Sequence, residues 1–548
     1  MAKKEKYKIA VFDIETDPFK HGRKPEPFCC GFYDGDLYKE FWGADCIEQF
    51  IIYCESLDTK HIIYAHNGGK FDFFYLLEKK ALTNPAVLIN GRIVKCGFID
   101  KHELRDSYAI IPIPLAAYKK DDIDYDTFEK PKRNKHKAKI LEYLKSDCIY
   151  TYELITKFIE RFGMKLTIGA TAINQLGLCH NIIKGNAEHD MKFRPFYFGG
   201  RVECFKTGVL KGKWKIYDVN SMYPKAMRDY PHPIGLKYIE FGDEISDRFD
   251  FKSGALKNFG GMYFIRFIGS NRGALPVRLK TGLSFNEPYG EFCTTSHELK
   301  IALKYGLVTV DKILEIKVPC NTQVYDIYVD KYMAEKIDAK KRGEIADEIF
   351  AKLLLNSAYG KYATDITKFK DWFILDLADD ACIEAFNKWR EKNPESELET
   401  ALGLYEIWNA PSNSERGYFD VAIAASITSA ARSMLLEAKI NSTNPIYCDT
   451  DSLICEELHN VEIHDSKLGA WKFEGKTDTV FIAGKKIYCA VGAGKGGADK
   501  IASKGARLGR AEILSLCEGE TVTWQNSAPN FKRSGEVVFI ERKIRSTA

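Results

Sequence analysis

Three apolar segments in the first third of the chain predict alternating strands and helices. Residues 8–19 (KIAVFDIETDPF) have the pattern of a buried strand. Residues 61–80 (HIIYAHNGGKFDFFYLLEKK) pass from a short strand through a glycine turn into an apolar helix. Residues 135–162 repeat apolar positions at helical spacing. We therefore expect a mixed α/β region that ends in a long amphipathic helix.

The remaining two-thirds repeats this alternation around further acidic residues. Residues 213–227 (KWKIYDVNSMYPKAM) predict a strand, a turn and the start of a helix, and residues 348–365 (EIFAKLLLNSAYGKYATD) predict a helix. Residues 444–457 (NPIYCDTDSLICEE) predict two short strands around a tight turn. Near the C-terminus, residues 509–516 predict a short helix, and residues 521–525 and 536–543 predict a hairpin.

Two carboxylates lie in the first predicted strand. Because side chains alternate along a strand, Asp13 and Glu15 point to one face. Neighbouring carboxylates repel each other, and a divalent cation is a common reason to keep both ionised. Asp13 and Glu15 could also be ordinary solvated acids at the end of a strand. Two later motifs also have structural interpretations: Asp72 could stabilise the dipole of its predicted helix, and Tyr143 and Asp147 could be a structural i,i+4 pair.

In order along the chain, these D-x-E, N-x(4)-D and Y-x(3)-D motifs resemble the three motifs of proofreading 3′–5′ exonucleases of the DEDD type. The resemblance implies a set of four metal ligands, namely Asp13, Glu15, Asp72 and Asp147. It assigns Tyr143 to orienting the attacking water. In such a site two metal ions clamp the scissile phosphate.

The same resemblance extends to four more residues. It implies that Asn67, Ser107 and Tyr108 bind the 3′ end of a single strand. It also implies that Lys120 assists the exonuclease reaction. The surrounding residues 119–139 are equally typical of a solvated loop of mixed charge.

Three further motifs are more specific. The patterns D-x-x-S-x-Y-P at 218–224, K-x(3)-N-S-x-Y-G at 352–360 and Y-x-D-T-D-S at 447–452 match, in order, motifs A, B and C of family B DNA polymerases. No purely structural reason accounts for all three motifs together. The chain therefore resembles that family.

This second resemblance implies a two-metal synthesis site. Asp218 and Asp451 would bind Mg²⁺, with Asp449 supporting the site and the Val219 carbonyl as a further ligand. The substrate-binding roles that it implies are phosphate contacts for Lys352 and Lys340, exclusion of the sugar 2′-hydroxyl by Tyr223, and lining of the nascent base pair by Asn356 and Tyr359.

Three shorter motifs lie at the positions along the chain where family B polymerases have them. Residues 197–200, which begin with Tyr197, resemble the Y-x-G-G linker that balances synthesis against editing. Thr428 and Arg432 lie in a segment that resembles the T-x-x-A/G-R primer-binding motif. Lys486 and Tyr488 resemble the K-x-Y motif that holds the primer terminus.

The number of residues between the polymerase motifs indicates a subfamily. The long stretches between motifs A and B and between B and C resemble the two insertions of protein-primed phage polymerases, above all those of tectivirus-type phages. The expected fold class is an α/β and α+β multidomain protein: a ribonuclease-H-like 3′–5′ exonuclease domain plus a right-hand polymerase with two insertions. The expected ranges are exonuclease 1–165, palm 166–230 and 419–500, first insertion 231–327, fingers 328–364, second insertion 365–418 and thumb 501–548. Residues 379–403 make the second insertion longer than in smaller relatives.

Composition limits the number of domains and the class of protein, and the low net charge is at first sight unusual for a DNA-binding enzyme. A length of 548 residues suits three or four domains, no apolar run approaches the roughly 18 residues of a membrane helix, and the 15 cysteines form no C-x-x-C motif. A reduced, intracellular protein is expected. The net charge is only +4. Since acids gather at metal sites while bases can gather elsewhere, the distribution of charge is the more informative quantity.

The complete prediction is a DNA-directed DNA polymerase that replicates a linear phage genome by protein-primed initiation, with 3′–5′ proofreading and strand displacement. Two Mg²⁺ per site are expected, with Mn²⁺ as a substitute. The expected partners are double- and single-stranded DNA, dNTPs, a terminal protein and a single-stranded-DNA-binding protein. The expected state is a monomer in the host cytoplasm, away from membranes. Two alternatives stay open: a polymerase with nucleic-acid primers or no primer, and a non-catalytic DNA-end-binding protein with a degenerate polymerase core.

Overall fold

The computed structural model describes residues 7–412, 417–526, 530–531 and 537–546. Its α-helices are α1 (Cys46–Glu55), α2 (Asp72–Glu78), α3 (Lys137–Phe162), α4 (Ile168–Cys179), α5 (Ala187–Phe193), α6 (Met222–Asp229), α7 (Ser296–Lys304), α8 (Asp326–Arg342), α9 (Ile345–Tyr362), α10 (Asp380–Lys392), α11 (Val421–Ile440) and α12 (Arg510–Cys517).

The strands are β1 (Tyr7–Thr16), β2 (Pro27–Tyr33), β3 (Tyr38–Trp42), β4 (Lys60–Ala65), β5 (Leu82–Ile89), β6 (Arg92–Phe98), β7 (His102–Asp106), β8 (Val202–Cys204), β9 (Gly208–Val219), β10 (His232–Phe241), β11 (Phe264–Ser270), β12 (Val277–Leu279), β13 (Gly282–Ser284), β14 (Tyr289–Thr295), β15 (Lys312–Gln323), β16 (Lys370–Asp376), β17 (Glu397–Leu402), β18 (Tyr405–Pro411), β19 (Ser442–Thr443), β20 (Tyr447–Asp449), β21 (Ser452–Cys455), β22 (Glu457–Leu458), β23 (Trp471–Gly484), β24 (Ile487–Ala490), β25 (Lys500–Ser503), β26 (Val522–Gln525), β27 (Asn530–Phe531), β28 (Val537–Val538) and β29 (Glu541–Ile544).

The N-terminal residues form most of a ten-stranded sheet, in the order β17-β18-β16-β5-β6-β7-β4-β1-β2-β3. β1 pairs parallel with β4 and antiparallel with β2, so it lies inside the sheet. Its residues alternate between two cores: Val11 packs in the core that contains Leu144 of α3, whereas Phe12 packs on Phe50 of α1. The side chains of residues 13 and 15 therefore share the α3 side of the sheet with Val11.

Residues 370–411 extend this same sheet at its edge. β16 pairs with β18 along its length but meets β5 through one bridge, Trp372 to Ala86. The Asn84 side chain reinforces the junction, because its amide donates to the Ile374 carbonyl (2.8 Å) and its oxygen accepts from the Ile374 N–H (3.0 Å). The segment expected as the second insertion thus continues the sheet of the expected exonuclease domain, which the sequence did not predict.

The enlarged segment 379–403 folds into α10 and β17. Phe386 of α10 packs against Phe373 of β16 and Trp408 of β18. The extra residues therefore supply a helix that covers one face of the added strands.

A seven-stranded sheet, in the order β25-β24-β23-β9-β21-β20-β8, carries the second set of acids. β9 lies between β21 and β23 and is antiparallel to both. α11 is the one helix in the described ranges that is long and apolar enough to cross a membrane, and 89% of that stretch is buried in the protein, as in a core helix.

Residues 232–323 contain a separate four-stranded sheet, in the order β10-β15-β11-β14, with its own apolar core around Phe267 and Leu299. After it, α8 and α9 form a helix pair, in which the Tyr328 hydroxyl donates to the Leu354 carbonyl at 2.8 Å. Gly343 ends α8 in the left-handed conformation (φ +72°), which lets the chain turn back within two residues.

At the C-terminus, α12 forms as expected, and β26 pairs antiparallel with β29. The antiparallel pairing predicted between residues 521–525 and 536–543 is therefore observed between β26 and β29. Residues 527–529 and 532–536, which join them, lie outside the described residues.

Candidate active sites

β1 and α3 bring three carboxylates together. Asp13 and Glu15 project towards Asp147 of α3, and one oxygen of each carboxylate lies within 4.8 Å of the other two. Asp72, the first residue of α2, stands outside this tight group. Its burial, and then the charge of Asp13, raise its pKa well above the ordinary range. The four acids expected at one site therefore do lie near one another.

The electrostatics of this group fit a bound cation. Burial, and then the charge of Asp147, raise the pKa of Asp13 to about 7. Burial, followed by Asp13 and Asp147, raises the pKa of Glu15 as well. Oδ1 of Asp147 is buried and has no hydrogen-bond partner within the described part of the chain. A buried carboxylate oxygen without a donor, inside a group of acids, matches the hard oxygen ligands of a divalent metal ion.

Tyr143 and Lys120 flank these acids. The hydroxyls of Tyr143 and Tyr125 hydrogen-bond at 3.1 Å, and Nζ of Lys120 lies 5.7 Å from the centroid of each ring. Lys120 therefore belongs to this site rather than to a separate solvated loop. Tyr125 is a site residue that sequence reasoning did not single out, although it follows Lys120 in the same short run.

Asn67 and Tyr108 belong to one polar network. Asp106 accepts from the backbone N–H of Asn67 (3.1 Å) and of Tyr108 (2.8 Å), and it pairs with Arg92. Arg92 also donates to the Asn67 side-chain oxygen at 2.8 Å, and its guanidinium lies 4.7 Å from the Tyr108 ring centroid. Asn67 is exposed and Tyr108 is half-buried. Both side chains therefore remain accessible to a DNA strand.

The Ser107 side chain is enclosed by protein. It is buried, and its hydroxyl donates to the Ala65 carbonyl (3.2 Å) and hydrogen-bonds Nδ1 of His66 (3.0 Å). These bonds give Ser107 a structural role beside His66, and its contact with a DNA 3′ end stays a prediction.

A backbone hydrogen bond joins motifs A and C. β9, which carries Asp218, pairs with β21, and the Val219 N–H donates to the Asp451 carbonyl at 2.8 Å. Thr450 occupies the turn at φ +60°, and its N–H donates to the Arg201 carbonyl at 2.7 Å. These bonds set Asp218 and Asp451 side by side, as the motifs predicted.

The three acids of this site differ in their surroundings. Burial, and then the charge of Asp451, raise the pKa of Asp218 to about 7, and burial raises the pKa of Asp451. Asp449 is instead paired with Lys486, whose Nζ lies 2.6 and 2.9 Å from its two oxygens. Asp218 and Asp451 have no such lysine or arginine partner among the described residues, so their oxygens fit a divalent cation, whereas Asp449 supports the turn.

An open cavity of about 520 Å³ has Asp449 and Asp451 in its lining. The rings of Tyr223 and Tyr359 stack inside it, with centroids 4.1 Å apart and planes at 10°. Its lining combines residues of all three polymerase motifs with both residues of the K-x-Y motif: Tyr223, Asn356, Tyr359, Asp449, Thr450, Asp451, Ser452, Lys486 and Tyr488. The predicted base-pair and primer-terminus residues therefore share one cavity.

Three lysines gather on the helix pair. Lys340 of α8 and Lys352 of α9 are exposed, as phosphate contacts require. Lys336, one turn before Lys340, is half-buried; burial, and then the charge of Lys352, lower its pKa. No ion pair neutralises Lys336 among the described residues. The sequence motifs missed it, although its i,i+4 spacing from Lys340 was a usable signal.

Thr428 and Arg432 are enclosed by protein. The Thr428 side chain is buried and its hydroxyl donates to the Ala425 carbonyl at 3.3 Å. The Arg432 guanidinium is also buried and binds Glu298 (Nη2 to Oε2, 2.8 Å). Both side chains therefore have structural partners, and the part of their motif in primer binding stays a prediction. Glu298 had no signal in the sequence, since its partner is far away along the chain.

The Y-x-G-G segment lies beside the cavity. Tyr197 packs against the same apolar core as Tyr223 and Tyr359. Burial, and then Tyr197, raise the pKa of Tyr359 to about 12. A Cβ atom added at Gly200 would lie 3.1 Å from the Tyr223 hydroxyl oxygen. Glycine is therefore needed here because the segment approaches Tyr223 closely.

Known proteins share this sequence and this fold. The DNA-directed DNA polymerase of Enterobacteria phage PRD1 is 42% identical over 576 residues, which cover 100% of this chain and 99% of that relative. The DNA polymerase of Streptococcus phage Cp-1 is 27% identical over 292 residues, which cover 50% of this chain and 45% of that relative.

Among solved structures, Phi29 DNA polymerase complexed with primer-template DNA and incoming nucleotide substrates matches with a TM-score of 0.71 at 16% identity, over 98% of this chain and 100% of that chain. This match confirms the expected fold class. The family model described as DNA polymerase type B, organellar and viral, matches residues 1–468. The chain is therefore a member of the organellar and viral DNA polymerase type B family, as its motifs A, B and C indicated.

Proposed function

We propose that this DNA-directed DNA polymerase starts synthesis on a protein hydroxyl, extends the strand at the Asp218–Asp451 site and edits it at the Asp13–Glu15–Asp147 site. One observation carries the synthesis and editing parts of the proposal: a single chain holds two separate groups of buried and half-buried carboxylates, each with its own tyrosine and lysine. One group opens into the 520 Å³ cavity lined by the polymerase motifs. The other lies between β1 and α3.

The domain assignment follows the sheets. β1 to β7 with α3 would be the exonuclease domain, and the seven-stranded sheet with α11 would be the palm. The four-stranded sheet would be the first insertion, α8 and α9 the fingers, β16 to β18 the second insertion, and the residues from α12 onward the thumb. The domain ranges remain those predicted from the motifs.

In synthesis, Asp218 and Asp451 would hold two Mg²⁺, which activate the primer hydroxyl and neutralise the triphosphate when bound; Mn²⁺ would substitute. Lys340 and Lys352 would bind the triphosphate, as point charges on flexible stems. The Tyr223 ring, fixed by its stack on Tyr359, would exclude the 2′-hydroxyl of a ribonucleotide.

In editing, Asp13, Glu15, Asp72 and Asp147 would hold the metal ions of the second site, which polarise the scissile phosphate when bound. Tyr143 would orient the attacking water through its hydroxyl. Asn67 and Tyr108 would hold the terminal nucleotides on the accessible side of the network that contains Asp106.

Protein priming rests on the two insertions and on full-length similarity to a phage polymerase. The first insertion has its own sheet and core, and it contacts the palm helix α11 through α7, which suits a docking platform beside the cavity. The partners would be a terminal protein, DNA, dNTPs and a single-stranded-DNA-binding protein. The enzyme would act as a monomer in the cytoplasm of the infected host and would displace the non-template strand.

The priming proposal is tested by mixing the polymerase, its terminal protein, Mg²⁺ and one labelled dNTP at a time. A labelled protein adduct that withstands denaturation and is lost in Asp451→Ala supports protein priming. Extension of an annealed oligonucleotide, without any adduct for all four dNTPs, would show that this polymerase uses nucleic-acid primers. Absence of extension as well would favour a non-catalytic DNA-end-binding protein.

A further inference from the structure

Two buried arginines hold the segment Phe198–Arg201, and both contact the four-stranded sheet region of the first insertion. We propose that Glu298, on α7 of that region, is a positioning residue for the synthesis site. Acting through Arg432, it would fix the Phe198–Gly200 segment against Tyr223 and so set both nucleotide affinity and sugar selection. The inference rests on the proposed role of Tyr223 in excluding ribonucleotides.

The Glu298–Arg432 contact is fully enclosed. The Glu298 side chain has no exposed surface, and its two oxygens accept from Nε and Nη2 of Arg432 at 2.8–3.2 Å. The Ser429 hydroxyl donates to the same carboxylate at 3.3 Å. Removal of water makes each of these charge-assisted bonds strong and directional. Glu298 therefore fixes the plane of the Arg432 guanidinium.

The remaining nitrogen of that guanidinium reaches the segment beside the cavity. Nη1 of Arg432 donates to the carbonyls of Phe198 (2.8 Å) and Gly199 (3.0 Å). The orientation that Glu298 imposes on Arg432 is thus transmitted to two consecutive peptide groups. Neither carbonyl could hold Arg432 in this orientation alone, because a buried guanidinium without its carboxylate would seek other acceptors.

The other end of the segment is held in a similar way. The Arg201 guanidinium donates to the carbonyls of Gly273 (2.6 Å) and Ala274 (3.2 Å), and it lies 4.3 Å from the Phe285 ring centroid. The Arg201 carbonyl accepts from the N–H of Thr450, in the turn between Asp449 and Asp451. Arg201 is therefore hydrogen-bonded both to the first insertion and to the turn that carries Asp449 and Asp451.

Gly200 is the residue through which the position of this segment would affect Tyr223. A Cβ atom at Gly200 would meet Thr450 Cγ2 at 2.9 Å and the Tyr223 hydroxyl oxygen at 3.1 Å, so the backbone passes close to both residues with no room for a side chain between them. Tyr223 cannot retreat freely, since it is stacked on Tyr359 at 4.1 Å. A shift of the segment would therefore displace Tyr223, and with it the ring proposed to exclude the 2′-hydroxyl of a ribonucleotide.

The test compares Glu298→Gln with two other variants. The double variant Glu298→Leu with Arg432→Met removes both buried charges at similar volume, so it tests positioning even if the single variant folds poorly. The matched control is Glu437→Gln, because Lys304 and Glu437 (2.7 Å) join the same two helices, α7 and α11, at an exposed site. For each protein one measures dNTP KM, kcat, ribonucleotide discrimination, the melting temperature and degradation of single-stranded DNA.

We expect Glu298→Gln and the double variant to raise the dNTP KM by on the order of tenfold and to lower ribonucleotide discrimination, with a smaller change in kcat. Degradation of single strands should stay intact, and Glu437→Gln should match the wild type. A purely structural role would lower the melting temperature and the active fraction while leaving KM and discrimination unchanged, and that result in the folded double variant would overturn the inference. Failure of the Tyr223 role itself would appear separately, as unchanged discrimination in Tyr223→Val.

Discussion

The backbone N–H of Val219 donates to the backbone carbonyl of Asp451 at 2.8 Å, and this bond joins two motifs that are far apart in the sequence. Because it uses no side chain, it does not depend on the charge of either neighbouring carboxylate. Substitutions of Asp218 or Asp451 should therefore change chemistry more than geometry.

The Tyr223 ring should control sugar selection. Tyr223→Val removes the ring that stacks on Tyr359, so we expect ribonucleotide discrimination to fall by on the order of 10- to 100-fold. Competition between each dNTP and its rNTP in primer extension measures this ratio. Tyr223→Phe keeps the ring and serves as the matched variant, in which discrimination should be largely retained. Unchanged discrimination in Tyr223→Val would remove the assignment.

The Tyr143 hydroxyl should serve editing alone. Tyr143→Phe loses the hydroxyl that meets Tyr125 at 3.1 Å beside Asp147, so we expect degradation of single-stranded DNA to slow by on the order of 10- to 100-fold, with primer extension unchanged. Tyr150→Phe, on the same helix but half-buried and outside the acid group, is the control and should behave as wild type. Equal degradation rates in both variants would contradict the role given to Tyr143.

Lys336 should strengthen binding of the triphosphate. Its half-buried ammonium adds to the charges of Lys340 and Lys352 without an ion-pair partner among the described residues, so Lys336→Met should raise the dNTP KM several-fold and reduce its dependence on salt. Lys331→Met, exposed on the same helix, should leave both quantities near the wild-type values. A KM in Lys336→Met equal to that of the control would show that Lys336 lies outside the phosphate path.

Asn84 should hold the added strands on the sheet. Asn84→Ala removes both side-chain bonds to Ile374 but keeps the Trp372–Ala86 bridge and the apolar core shared by Ile374 and Leu88, so we expect a loss of about 1–3 kcal/mol for the junction. Hydrogen exchange should therefore rise at residues 370–376. Asn286→Ala, at an exposed asparagine, is the control. Exchange that stays at the wild-type rate in Asn84→Ala would mean that other contacts hold this edge.

The motifs allowed the two acid groups to be predicted because each depends on local patterns. The alternation in β1 placed Asp13 and Glu15 on one face, and helical spacing placed Tyr143 beside Asp147. The turn between β20 and β21 was likewise visible in its short polar run. These relationships involve residues within a few positions of one another.

Long-range contacts could not be predicted in the same way. Thr428, Arg432 and Ser107 matched primer- or DNA-binding patterns, yet tertiary packing encloses all three. Whether a polar side chain in a motif faces DNA or the interior depends on neighbours such as Glu298, which no local pattern reveals. The joining of β16 to β5 has the same origin, since its bridge, the Asn84 side-chain bonds and the apolar core around Ile374 all link residues far apart in the sequence.

On the proposed function, one chain synthesises and edits DNA at two separate metal sites. The most direct measurement is primer extension and single-strand degradation side by side, with Mg²⁺, for the wild type, Asp451→Ala, Asp13→Ala and the exposed control Asp478→Ala. We predict that Asp451→Ala loses extension by on the order of a thousandfold or more and keeps degradation, that Asp13→Ala shows the reverse, and that the control keeps both. Loss of both activities in either folded variant, or of neither, would contradict the two-site account.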